Sequence, residues 1–217
     1  MMEATCWWWI RHAPVTVNAD RIYGNRDVPC DTSDRETFQR LAASLPRDAV
    51  WVTSHLQRTH QTAAAIVEHM PPGSYSDPLV EEDLAEQSFG DWQGRRRAEL
   101  DQLRDDAWHR FWLMPAHAAP PGGESFEDLM TRVAAVVTRL SRDHAGRNIV
   151  AVTHGGTIRA AVGHALDLSP DRALGVAVEN CSLTRLDHFP GSHGSHAPDS
   201  PGTWRISQVN AVMRETE

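Results

Sequence analysis

No segment of the sequence approaches the ~20 uninterrupted apolar residues of a membrane-spanning helix. Nor does a basic leader precede a signal-length apolar run, because Arg11 interrupts the short stretch Cys6–Ile10, so a secreted precursor is not expected. Cysteine is scarce: Cys6, Cys30 and Cys181 form no C-x-x-C pair and no disulfide framework, which fits a reduced, cytoplasmic setting. Positive charge is in deficit as well. A formal charge of −8 argues against a general polyanion binder, since nucleic-acid domains carry a basic face. Neither nucleic acid nor membrane is expected as a partner. An anionic small molecule stays compatible, provided its cationic partners are concentrated in one pocket. What is present suffices for one sizeable core, with 217 residues of which 41% are hydrophobic.

Three short apolar runs read as strands: Thr5–Ile10, Ala49–Thr53 and Ile149–Thr153. The second leads into a helical stretch at Leu56–Met70. The third leads into Gly155-Gly156 and the helical-looking T-I-R-A-A-V-G-H-A-L. The clearest helix has Ser125 as its N-cap with Asp128 three residues on, and Phe126, Leu129, Met130, Val133, Val136, Val137 and Leu140 at helical spacing. Gly146 is its expected stop. S-L-T-R-L and W-R-I-S-Q-V read as two further strands around a loop at 189–203. Strands alternating with helices imply a layered α/β domain with a mainly parallel sheet, here one domain over 1–217. Its irregular part, 71–124, is expected to pass over the sheet's carboxyl edge, where ligands bind in such folds. Arg11-His12, Ser54–Arg58 and His154-Gly155 all fall at that edge.

The residues gathered there suit a phosphate monoester, which carries two negative charges and a leaving oxygen that needs a proton. Arginine forks bind phosphate oxygens and stay charged. A neutral imidazole can attack phosphorus and form a covalent intermediate. Helix N-termini add N–H donors: Arg58 lies in the first turn after a strand, and His154 precedes a helix start.

Five ordered stretches carry a resemblance: W-I-R-H-A at 9–13, S-H-L-Q-R-T-H-Q-T-A at 54–63, L-A-E-Q-S-F-G-D-W-Q-G at 84–94, P-G-G-E-S at 121–125 and V-T-H-G-G-T-I-R at 152–159. On these the chain, over roughly 5–186, resembles the histidine phosphatase superfamily, also called phosphoglycerate mutase-like. The resemblance implies a three-layer α/β/α sandwich with a mainly parallel central sheet. It implies that His12 is the phosphorylated nucleophile, that Arg11, Arg58 and His154 bind the transferring phosphoryl group, and that Glu86 is the general acid. Asn18, seven residues after Arg11, would contact phosphate, and Tyr23, Gly24 and Gly155 would line the substrate side. No cofactor and no metal are implied. Ala13, Pro14 and Val15 replace the usual Gly, Glu and Thr/Ser, which removes one hydroxyl contact to substrate, and His55 stands where many members have a small residue or proline. R-H-A-P-V with Y-G-N-R-D-V-P resembles the α-ribazole phosphatase branch, and H-G-G-T-I-R is more phosphatase-like than mutase-like.

Three functions fit these residues: a phosphatase for a small phosphorylated metabolite, a phosphoglycerate mutase using the same residues, and a non-catalytic member that binds phosphorylated ligands. The sequence does not fix the oligomeric state, and a homodimer is compatible with it. Several features have plainer readings. Arg95–Arg97 reads as a solvated helix face and Trp108 and Trp112 as core or lid packing. His188, His193 and His196 lack a metal-ligand spacing.

Overall fold

The three apolar runs become neighbouring parallel strands of a single sheet, and the loops that leave them carry the candidate site. In chain order the computed structural model contains β1 (Thr5–Arg11), α1 (Arg35–Ser44), β2 (Ala49–Thr53), α2 (Gln57–Val67), β3 (Leu79–Val80), α3 (Arg97–Asp101), α4 (Phe126–Asp143), β4 (Asn148–Thr153), α5 (Gly155–Ala165), α6 (Pro170–Ala173), β5 (Leu183–Phe189) and β6 (Thr203–Ala211). It describes residues 3–16, 20–102, 109–191 and 202–213.

The sheet order is β3-β2-β4-β1-β5-β6. β3, β2, β4 and β1 pair in parallel, while β5 runs antiparallel to both β1 and β6. Alternation along each strand builds two cores. Trp7 and Trp9 of β1, Val50 and Val52 of β2, and Ile149 and Ala151 of β4 pack with α4 and α5. Ile10, Trp51, Val150 and Val152 point the other way, onto Phe38, Leu41 and Ala42 of α1 and Ala63 and Ile66 of α2. Helices thus cover both faces of a mainly parallel sheet, the three-layer α/β arrangement expected.

The Ser125 cap is present as a full capping box. Ser125 Oγ accepts from Asp128 N at 3.1 Å, and Ser125 N donates to Asp128 Oδ2 at 2.9 Å, an arrangement whose loss costs about 1 kcal/mol. Other boundaries differ from the sequence reading. α4 ends at Asp143 with His144 as its cap, so Gly146, at φ +75°, shapes the turn beyond the helix rather than stopping it. α2 is shorter than Leu56–Met70. α1 was not foreseen. Its signal lies in Asp34, which accepts from Thr37 N at 3.1 Å ahead of Phe38 and Leu41. Among the described residues, no helix is long and apolar enough to cross a membrane.

Candidate active site

β4 lies between β2 and β1, so the residues that follow these strands come together in the order Ser54, His154, His12. All three are fully buried. His12 N donates to Thr153 O at 2.9 Å, which continues the β1–β4 ladder by one step and fixes where the side chain leaves the sheet. Asn180 Nδ2 donates to His12 O at 2.7 Å from the opposite side.

The His12 ring has one defined tautomer. Nδ1 lies 2.7 Å from Ala13 O, and a carbonyl only accepts, so Nδ1 carries the proton. Nε2 is then a bare lone pair, buried and with no partner among the described residues. His154 is held in the opposite tautomer. Its Nδ1 accepts from Arg58 Nε at 3.2 Å, which leaves Nε2–H to donate to Ser54 Oγ at 2.8 Å. The two rings meet edge to face with centroids 5.2 Å apart. Tyr23 stands edge-on to His12 at 6.3 Å.

Arg58, in the first turn of α2, is completely buried and has no carboxylate paired with it among the described residues. Besides His154 it donates to Arg26 O at 2.7 Å and Gly24 O at 2.8 Å, and it lies 5.2 Å from the Tyr23 ring centre. Gly24 holds φ +48°, and a Cβ there would come within 2.9 Å of both Gln87 O and the Phe89 ring, so only glycine brings this carbonyl to Arg58. Arg11 donates through Nη1 to Val178 O at 2.7 Å, while its buried Nε has no partner among the described residues. Burial and then the positive field of Arg58 push both imidazoles well below the usual 6.5, with Arg11 adding to the effect on His12, and His12 and Arg132 to that on His154.

Glu86 arrives from the segment between α2 and α4. Gly156 N donates to its Oε1 and Oε2 at 3.1 and 3.3 Å, and Gln87 N to Oε1 at 3.0 Å. Three residues outside the expected set hold this segment. Arg132 of α4 donates to Asp83 O at 2.6 Å, Ala85 O at 2.9 Å and Glu86 O at 3.3 Å. It also forms a two-pronged pair with Glu124, at 2.7 and 3.1 Å. Thr157 Oγ1 donates to Ala85 O at 3.0 Å. Glu124 sits inside the P-G-G-E-S stretch, so a signal for it existed. Arg132 does not stand out, because an arginine among helical apolar positions reads as a solvated side chain.

The structure therefore brings together His12, His154, Arg11, Arg58, Glu86, Tyr23, Gly24 and Gly155. Asn18 and Trp108 lie outside the described residues. Arg95, Arg96 and Arg97 are exposed, as a solvated face should be. Trp112 is half-buried and packs on Phe89 and Phe126. Among the described residues no group of three or more His, Cys, Asp or Glu side chains could hold a metal ion, and His193 and His196 lie outside them.

The profile of the histidine phosphatase superfamily (branch 1) matches residues 7–196. The chain belongs to this superfamily. It is 33% identical to phosphoglycerate mutase-like protein 4 of Arabidopsis thaliana, over 70% of this chain and 66% of that one. It is 29% identical to the adenosylcobalamin/alpha-ribazole phosphatase of Escherichia coli, over 83% and 88%. A bifunctional protein of Mycobacterium tuberculosis, Rv2228c, is 36% identical over 83% of this chain, which spans about half of that protein's length. Among solved structures, mycobacterial glucosyl-3-phosphoglycerate phosphatase superposes with a TM-score of 0.78 at 25% identity, covering 96% of this chain and all of the other. The relatives of this histidine phosphatase superfamily member are thus phosphatases and mutases.

The two neutral histidines have a measurable consequence for stability. Folded, they stay neutral below pH 6.5; unfolded, they take up protons there. The unfolded chain then binds more protons, so stability falls as pH drops below about 6.5, by up to ~1.4 kcal/mol per pH unit for each histidine. Urea midpoints of the wild type and His12→Asn at pH 7.5 and 5.5 read this difference. The wild type should lose about 1.4 kcal/mol more than the variant over that interval. Equal losses would mean that His12 is not held neutral by the fold.

Proposed function

We propose that the protein is a metal-independent phosphomonoesterase that hydrolyses a small phosphorylated metabolite through a phosphohistidine on His12. The observation that carries this reading is the buried Nε2 lone pair of a neutral His12, without a partner among the described residues and placed beside Arg11 and Arg58. The Nε2 lone pair attacks phosphorus, and the bond from phosphorus to the leaving oxygen breaks as Glu86 gives that oxygen its proton. Water then attacks phosphorus as Glu86 takes up a water proton, the P–Nε2 bond breaks with its electron pair returning to His12, and phosphate leaves. Arg11 and Arg58 neutralise the equatorial oxygens. Arg58 has two N–H groups left after its three protein bonds. His154 shares its Nε2–H between Ser54 and a phosphoryl oxygen. The relatives named for ribazole and glucosyl-phosphoglycerate phosphatases support small phosphorylated metabolites as the substrate class.

The test is a panel of phosphorylated metabolites assayed for free phosphate and for isomerised product, with and without EDTA. Free phosphate should appear in both conditions and be suppressed by vanadate, whose trigonal-bipyramidal oxyanion resembles the transition state. Activity lost in chelator and restored by a divalent ion would overturn the metal-free reading. Isomerised product without free phosphate would make the protein a mutase.

A narrower prediction concerns Gly156. A Cβ at this position would collide with Glu86 Oε1 and lie 3.0 Å from Leu129 Cδ2. Gly156→Ala should therefore displace the carboxylate by a fraction of an ångström or more and lower kcat on an alkyl phosphate by on the order of 10²-fold. Circular dichroism should show an unchanged fold. Full activity in this variant would show that the Glu86 position is not critical.

A further inference from the structure

The carbonyl that fixes the His12 tautomer has no anchor of its own. Ala13 O belongs to the Ala13–Pro14 peptide, which lacks an N–H by which the protein could hold it. Its position therefore follows from the peptides on either side. On one side, Pro14 O accepts from Asp31 N at 2.8 Å. On the other, the His12–Ala13 peptide is gripped at both ends. Asn180 Nδ2 donates to its oxygen at 2.7 Å, and its N–H donates to Thr62 Oγ1 at 2.9 Å. In a planar trans peptide these two groups point in opposite directions, so the grip comes from two sides and sets the plane.

Both grips are built into the fold. Thr62 is fully buried on α2, and its hydroxyl proton goes to Arg58 O, four residues back, at 2.7 Å. A hydroxyl has one proton, so Ala13 N meets an oxygen lone pair. The backbone of the nucleophile is thereby tied to the helical turn that carries Arg58. Asn180 lies in the turn between α6 and β5. Beside it Cys181 holds φ +55°, a left-handed conformation that non-glycine residues rarely adopt. That bend lets neighbouring residues serve neighbouring carbonyls: Cys181 N donates to Arg11 O at 3.0 Å, and Asn180 Nδ2 to His12 O. Asn210 Oδ1 steadies the turn by accepting from Glu179 N at 2.6 Å.

We propose that Thr62 and Asn180 are positioning residues for the nucleophile. By fixing the plane of the His12–Ala13 peptide they place Ala13 O, and so keep the proton of His12 on Nδ1 and its lone pair on Nε2. Both act through His12 rather than on the substrate. A ring that loses its Nδ1 acceptor can move the proton to Nε2, and that form has no lone pair with which to attack phosphorus. As Nε2 bonds to phosphorus the ring becomes cationic and the bond from Nδ1–H to Ala13 O strengthens. The benefit therefore falls in the transition state and belongs to kcat. The inference rests on the reading of His12 as nucleophile and adds the two side chains that keep it reactive.

The experiment compares the wild type with Thr62→Val, Thr62→Ser, Asn180→Ala and the Thr62→Val/Asn180→Ala double variant. Long-range proton–nitrogen correlation spectra of protein carrying isotopically labelled histidine read the tautomer directly, and the His12 signals are those missing from His12→Asn. The wild type should show a protonated Nδ1 and a bare Nε2. Thr62→Val and Asn180→Ala should each shift both nitrogens towards the opposite pattern, and Thr62→Ser should not. On p-nitrophenyl phosphate those two variants should lose about 10- to 100-fold in kcat with KM changed by less than about threefold. Thr62→Ser keeps the hydroxyl and should stay within about threefold of the wild type. The double variant should lose less than the product of the single losses, because both act through one peptide. A wild-type tautomer in Thr62→Val or Asn180→Ala overturns the proposal, as does a loss confined to KM. If Thr62→Val fails to fold, Asn180→Ala carries the test alone, since Asn180 is only half-buried. A shifted ring with undiminished kcat, or a wild type without turnover, would count against the phosphohistidine reading, while the spectra still decide the roles of Thr62 and Asn180.

Discussion

Replacing His12 with alanine should abolish turnover, with a loss on the order of 10⁴–10⁶ in kcat, the range seen when a covalent nucleophile is removed. The variant leaves the Ala13 carbonyl without its donor, a cost of about 1–3 kcal/mol that a domain of this size should survive. Wild-type protein incubated with radiolabelled substrate and quenched should carry phosphate that is acid-labile and base-stable, and His12→Ala should carry none. Label that is lost in base, on a serine or aspartate, would sink the mechanism. In the proposed mechanism the same residue should set the acid limb of the pH profile. His12 must be neutral to attack, and burial with Arg58 and Arg11 keeps it so well below pH 6.5. The limb due to His12 in kcat/KM should therefore lie well under 6.5, and activity should persist into mildly acidic buffer.

Glu86→Gln should cost on the order of 10²–10⁴ in kcat on an alkyl phosphate, whose alkoxide leaving group needs a proton. The amide keeps an oxygen that can accept from Gly156 N and Gln87 N, so the site geometry should survive while the transferable proton is gone. On p-nitrophenyl phosphate the loss should be much smaller, because p-nitrophenolate departs unprotonated. Measuring kcat for both substrates in both proteins decides the matter. Equal losses would show that Glu86 is not the acid and would direct attention to Glu82 or Asp83. Both of those are exposed, and Arg132 binds the backbone beside them rather than their side chains.

Strand positions were legible because β1, β2 and β4 are buried on both faces and so read as short continuous apolar runs. A site at their carboxyl ends followed from that. Less visible was anything depending on which strand adjoins which. The contact of Ser54 with His154 exists because β4 inserts between β2 and β1, a consequence of long-range pairing that no local pattern encodes. Glu86 could be named from its surrounding motif, yet its anchoring by Arg132 and Thr157 spans 46 and 72 residues of chain. Arg159 lies within V-T-H-G-G-T-I-R, yet only packing brings its guanidinium up beside Arg11. α1 was missed for a simpler reason: its apolar face is narrow, with only Phe38, Leu41 and Ala42 buried.

Arg132 grips the segment that carries Glu86 through the carbonyls of Asp83, Ala85 and Glu86, and Thr157 does the same at Ala85. A clamp that recognises only main-chain oxygens is indifferent to the residues whose oxygens it holds. Glu82 and Asp83 can consequently drift in evolution, or be randomised in a directed library, without unseating the carboxylate next to them. The rim of the pocket is thereby free to diversify while the Glu86 carboxylate stays in place, an arrangement that lets one scaffold explore new ligands by changing a few surface letters.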